Sequence, residues 1–138
     1  MRELPRQLSI EELEELFGGP SALVMLLAET EDPLGRAEEV ARQLPGEDKA
    51  QALSQHPRIG EPSPEQHGDD PTVLTELSYL NQVYEEKFGF RFVVFVAGRP
   101  HRDLLPVLRD RLARTREEEL ETGMAELVAI AQERWQRR

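Results

Sequence analysis

Apolar positions recur along most of this chain at the 3.6-residue spacing of amphipathic helices. Ile10, Leu13, Leu16 and Phe17 fall on one helical face, opened by the S-x-x-E spacing of a capping box at Ser9 and Glu12 and closed by Gly18-Gly19. The apolar segment SALVMLLAE at 21–29 predicts a second helix. A third begins at Asp32-Pro33, a capping residue followed by proline at the first helical position. It turns Leu34, Ala37, Val40, Ala41 and Leu44 inward until Pro45-Gly46. A short fourth helix, Glu47 to Gln55, leads to His56. Asp70-Pro71 repeat the cap-and-proline opening for a long helix. Its inner face carries Leu74, Leu77, Leu80 or Asn81, Tyr84 and Phe88, and Gly89 is its C-terminal cap. Another helix is expected from about Asp103 to Arg114, with Pro106 in its first turn. The last runs from a second capping box, Thr115/Glu118, through Leu120, Met124, Leu127, Val128 and Ala131 to Trp135. The pattern predicts an all-α, single-domain bundle of about seven or eight helices over residues 1–138.

Two stretches break the period. Residues 57–71 contain four prolines, two glycines, Ser63 and four acidic residues, which predicts an irregular loop. FRFVVFVAG at 90–98 has the strongest strand propensity in the chain but no evident partner strand. Buried backbone groups must be bonded somewhere. The segment is therefore extended with local bonds, helical against its propensity, or paired across an oligomer interface.

Composition narrows the function classes. A chain of 138 residues builds one core. A formal charge of -10 argues against nucleic-acid binding, since the phosphate backbone attracts clustered Lys and Arg, and only Arg134 to Arg138 form a basic end. The absence of cysteine excludes disulfides, thiolate catalysis and cysteine metal ligands. No apolar run approaches the roughly 18 residues that span a bilayer, and the first residues show no signal-peptide pattern. The expectation is a cytoplasmic protein without membrane or nucleic-acid partners.

Candidate chemistry concentrates between His56 and Val96. His56 ends a helix and precedes a proline, so it suits either interaction with the negative end of the helix dipole or proton transfer near neutral pH. Pro57 restricts His56 to extended conformations and so directs its imidazole. Glu65 and Gln66 are ordinary solvated loop residues unless the loop brings them beside His56, where they become an acid/base partner and a hydrogen-bonding carboxamide. His67 and His101 read as surface residues. A metal set of His56, Glu65, His67 and Asp69 is disfavoured, because the spacing does not match a helical H-E-x-x-H, and no metal is expected. REEELE at 116–121 reads as a solvated helix face. Asn81, Tyr84 and Phe88 share one face and read as core and cap-bonding residues.

Taken in order, the HP pair at 56–57, the EQ pair at 65–66, the N-x-x-Y-x-x-K-F-G-F block at 81–90 and IAQERW at 130–135 resemble the 2-oxo-4-hydroxy-4-carboxy-5-ureidoimidazoline (OHCU) decarboxylase family. The resemblance runs from about Leu8 onward, and HPRIGE resembles a bacterial branch. It implies an all-α bundle acting on OHCU in the last step of urate degradation, without a cofactor and as a homodimer. By the same resemblance His56 and Glu65 are catalytic. Pro57, Gln66, Arg134 and the stretch Phe92, Val93, Val94, Phe95 and Val96, whose backbone lines the pocket, bind substrate. The guanidinium fork of Arg134 suits a carboxylate or ureido oxygen. There are departures: Pro62 stands where the family often has serine, with Ser63 one step out of register, and the closing R-L pair is Arg134-Trp135.

The implied chemistry accounts for the absence of a cofactor. In OHCU the carboxylate neighbours a ring imine, so electrons released with CO2 flow into the C=N bond. The protein has only to orient the ring, manage the 4-hydroxyl proton and protonate one face to give (S)-allantoin. Two other classes remain open on the residues alone: a non-enzymatic acidic helical interaction module, and a related lyase of ureide or purine catabolism with a changed substrate.

Overall fold

The computed structural model describes residues 2–60 and 70–138. Within them the chain forms seven helices and no strand: α1 (Ile10–Phe17), α2 (Ala22–Ala28), α3 (Pro33–Gln43), α4 (Gly46–Ser54), α5 (Pro71–Phe88), α6 (His101–Leu112) and α7 (Arg116–Arg137). The expected all-α bundle is what forms.

Local caps set most of the ends. Both capping boxes close in both directions, Ser9 with Glu12 and Thr115 with Glu118. Asp32 and Asp70 cap α3 and α5 ahead of proline, and α1 and α5 end at Gly18 (φ 92°) and Gly89 (φ 84°) in left-handed conformations that favour glycine. α7 is the hub, packing against α1, α3 and α4, while α2 touches α1, α3 and α4, and α5 pairs with α6. Leu13, Leu23, Leu27, Leu34, Leu53 and Leu127 are wholly buried where these helices meet, each stabilising the fold by about 1.5–3 kcal/mol relative to exposure. Gly123 of α7 lets α4 approach, because a Cβ there would stand 3.0 Å from both Leu53 methyls. The N-terminal residues lie along α7: Trp135 Nε1 donates to the Glu3 carbonyl at 2.9 Å, and the Arg2 guanidinium sits 3.9 Å over the indole.

The stretch 90–96 is extended, as the first of the three possibilities has it, but most of its bonds come from side chains of later elements rather than locally. Arg111 Nη1 donates to the Val93 carbonyl at 2.7 Å, and the Phe95 amide donates to Glu126 Oε1 at 3.2 Å. Arg99 folds back onto the Phe95 and Val96 carbonyls. Phe90, Phe92, Val93, Val94 and Val96 are all buried within the single chain. Pairing across an oligomer interface, the third possibility, is not needed to bury these side chains.

Four further expectations are corrected. α6 begins two residues earlier than expected, which puts Pro106 in its second turn. The lost hydrogen bond falls between Pro106 and Arg102, both exposed, where water can serve the carbonyl. The same shift turns His101 inward at helical spacing from Leu104, Leu105 and Leu108, so it is buried rather than on the surface. Ile10 is exposed, although its period placed it with the core. Glu119, within the run read as solvated, is completely buried. Its carboxylate accepts from Arg111 Nε at 2.7 Å, from the Tyr84 hydroxyl at 2.6 Å and from Arg114 Nη1 at 3.0 Å.

Candidate active site

His56 stands just beyond the C-terminal end of α4, its amide donating to the Leu53 carbonyl at 3.2 Å. The helix cannot continue because Pro57 disfavours helical backbone at the residue before it. His56 is only 5% exposed. Gly18 packs directly on it: a Cβ at Gly18 would stand 3.2 Å from His56 Cα and 3.3 Å from its Cδ2. The glycine that caps α1 therefore also makes room for the histidine.

The ring is oriented through Nδ1, which lies 3.1 Å from the Pro57 carbonyl. A carbonyl only accepts, so Nδ1 carries the proton in this contact and, in the neutral imidazole, Nε2 carries the lone pair. That tautomer makes Nε2 a base. The backbone on either side is also held. Arg91 Nη1 donates to the His56 carbonyl at 2.9 Å, Arg58 makes a two-pronged pair with Glu85 at 2.6 and 2.9 Å, and Asn81 Nδ2 donates to the Ile59 carbonyl at 3.2 Å. Asn81 is thus a core residue that pins the His-Pro loop to α5 rather than capping a helix.

Between residues 58–60 and α5 lies a cavity of about 610 Å³, with Ile59 and Gly60 on one side and Leu74, Ser78, Asn81 and Glu85 on the other. Asn81 Oδ1 is buried and has no hydrogen-bond partner among the described residues. Neither His56 nor residues 92–96 line this cavity.

The 92–96 stretch joins the His56 region through Arg91, which directly precedes it. The aromatic ring of Tyr84 braces it, 5.2 Å from Phe92 and 5.9 Å from Phe90. Burial, and next the hydrogen bond to Glu119, push the Tyr84 hydroxyl well above its ordinary pKa, so it remains a donor at neutral pH. Arg134, in the last turn of α7, donates to the Glu15 and Leu16 carbonyls at 3.2 Å each. It meets the end of α1 whose capping glycine touches His56.

A family model for OHCU decarboxylase matches residues 3–136. The chain belongs to the OHCU decarboxylase family. Two curated relatives are similar to the chain. The uric acid degradation bifunctional protein TTL of Arabidopsis thaliana is 32% identical over 102 residues, covering 62% of this chain and 32% of the plant protein. The uric acid degradation bifunctional protein of Bacillus sp. (strain TB-90) is 35% identical over 60 residues, covering 44% of this chain and 12% of that protein. The matches span about a third or less of those relatives' length. Among solved structures, one of OHCU decarboxylase in the presence of (S)-allantoin superposes with a TM-score of 0.78 at 26% identity, over 89% of this chain and 94% of that one. A structure of (S)-allantoin synthase shares the fold, with a TM-score of 0.70 at 18% identity over 91% of this chain and 47% of that one.

Of the residues the family resemblance singled out, His56, Pro57, Phe92 to Val96 and Arg134 are described, and Glu65 and Gln66 lie outside the described residues, as do His67 and Asp69. The side chains of Phe92, Val93, Val94 and Val96 point into the core, so only the backbone of the stretch and the half-buried Phe95 can face a ligand. Sequence reasoning missed Gly18, Arg91, and the pins from Asn81 and Glu85. Arg91 left one usable signal, a lone charge inside the apolar run from Phe88 to Gly98.

Proposed function

We propose that this chain is a carboxy-lyase that converts OHCU to (S)-allantoin without a cofactor, with His56 as the proton-transfer group. The observation that carries the reading is the held, buried imidazole whose Nδ1 bonds the Pro57 carbonyl, leaving Nε2 as the basic nitrogen, in a chain matched by the family model over 3–136. As CO2 leaves, the electron pair of the broken C–C bond moves toward the ring imine, whose nitrogen takes up one proton from solvent. His56 accepts the 4-hydroxyl proton and returns it to one face of the enol-like carbon, which sets the S configuration. Glu65 tunes the charge and tautomer of His56 or binds a ring N–H. Gln66, Pro57, Arg134 and the backbone of 92–96 orient the substrate. Acid/base catalysis of this kind contributes about 10²- to 10⁴-fold.

The test is stopped-flow decay of freshly made OHCU, with circular dichroism of the product. His56→Asn keeps approximate size and hydrogen bonding and is expected to lower turnover by about two to four orders of magnitude with little change in melting temperature. Glu65→Gln lowers turnover and His67→Asn leaves it near wild type. Near-wild-type rates and S-selectivity in His56→Asn, with stability reduced by up to about 2 kcal/mol, would instead mark His56 as a helix-end residue. Activity that EDTA abolishes and zinc restores would overturn the metal-free reading. The homodimer is proposed on the family resemblance alone, and a monomer at micromolar concentration in sedimentation removes it.

A further inference from the structure

We infer that Arg91 is a positioning residue for His56, an inference that rests on the proton-transfer role proposed for that histidine. Arg91 Nη1 reaches across 35 residues of sequence to the His56 carbonyl at 2.9 Å. That carbonyl is at a helix end, where no continuing turn supplies an amide and the next residue is a proline without an N–H. A guanidinium is a fitting donor there, since a cation is favoured at the negative end of a helix.

Among the described residues Arg91 has no other side-chain hydrogen bond and no carboxylate partner. In a chain with 27 acidic residues, Arg58, Arg109, Arg111 and Arg114 each hold a carboxylate. Among the described residues, Arg91 instead holds the backbone of the histidine alone. It does so from a rigid base, because its neighbours Phe90 and Phe92 are 2% and 0% exposed and packed against Tyr84. The imidazole is thereby restrained from three sides: Gly18 against Cα and Cδ2, the Pro57 carbonyl on Nδ1, and Arg91 on the carbonyl. Of these, Arg91 alone ties His56 to the 92–96 stretch. Without it the Pro57 peptide can rotate, the Nδ1 contact loosens and the ring can exchange tautomers.

The experiment combines kinetics with imidazole ¹⁵N NMR on wild type, Arg91→Met and Arg91→Lys, the His56 signals being assigned by their loss in His56→Asn. Wild type is expected to show one His56 tautomer, protonated at Nδ1. Arg91→Met should show averaged ring nitrogens and a kcat for OHCU lowered by about 10- to 100-fold with KM little changed, and Arg91→Lys should recover much of both. If Arg91→Met does not fold, Arg91→Gln removes the charge and shortens the reach with less disruption. A variant that lowers only the melting temperature, with the tautomer and kcat unchanged, overturns the inference and makes Arg91 a helix-end brace. Should the wild-type protein fail to act on OHCU, the proposed function falls while the NMR comparison still decides what Arg91 does to His56.

Discussion

Replacing Glu119 with glutamine tests whether a buried charge holds α5, α6 and α7 together. The carboxylate is wholly buried and accepts from Arg111, Tyr84 and Arg114, which come from α6, α5 and the α6–α7 turn. Arg111 is also nearly buried, its side chain 7% exposed, whereas Arg114 is 36% exposed and screened by water. The pair with Arg111 therefore dominates. Removing one partner of a buried pair leaves the other charge uncompensated and costs about 3–5 kcal/mol, a large part of the roughly 5–15 kcal/mol that holds a domain folded. For a chain of this length about 3–5 °C is lost per kcal/mol, so Glu119→Gln should melt about 10–20 °C below wild type. Because Arg111 also holds the Val93 carbonyl and lies 4.5 Å over the Phe92 ring, the 92–96 backbone should loosen as well. Calorimetry and urea unfolding at neutral pH measure the loss. The double variant Glu119→Leu with Arg111→Met should be more stable than Glu119→Leu alone, since no charge is left stranded. A Glu119→Gln protein within about 1 kcal/mol of wild type would refute the reasoning, because the pairing would then contribute no more than one ordinary hydrogen bond.

Gly18→Ala forces a left-handed alanine, at a cost of about 1–2 kcal/mol, and crowds His56, whereas Gly89→Ala brings similar strain with nothing within 4 Å. Both should melt earlier but only Gly18→Ala should lose OHCU turnover, and equal activities would remove Gly18 from the site. Gly123→Ala adds helix propensity of about 1 kcal/mol but sets a methyl 3.0 Å from Leu53, and overpacking costs about 1–3 kcal/mol. A net loss is expected in urea titration, and a more stable variant would show that α4 can shift. Stability should also fall at both pH extremes. The Tyr84 hydroxyl is raised in the folded state, so its contribution is complete below its ordinary value of 10.0 and is lost in alkali, and Tyr84→Phe should flatten that limb. The capping hydrogen bonds from Ser9 and Thr115 lower Glu12 and Glu118, whose contribution is present above 4.5 and lost in acid, and glutamine at both positions should flatten the acid limb of a melting series.

Local chemistry made the helices legible. A capping box, an Asp-Pro start and a left-handed glycine each act within three or four residues, so Ser9/Glu12, Thr115/Glu118, Asp70-Pro71 and Gly89 could be read directly from the chain. The start of α6 carries no such signal, because Pro100 offers no side-chain cap. Extending the period of Leu104, Leu105 and Leu108 back by one turn would have placed His101 in the core. The ordered motifs at 56–57, 65–66, 81–90 and 130–135 indicate the family, since they depend on residue identity and order alone.

Partnership across space could not be read in that way. Glu119 sits in a run of acids that looks like any solvated helix face, and only the approach of Arg111 and Tyr84 makes its burial tolerable. FRFVVFV carries strand propensity, yet whether it pairs with a strand depends on what can bond its backbone, and here the side chains of Arg111, Glu126 and Arg99 take that role. Periodicity and caps, being short-range, determined where helices form and which faces are apolar. The tertiary structure decided which charges could be buried and how His56 is held, because those outcomes depend on desolvation and hydrogen-bond partners supplied by residues distant in sequence.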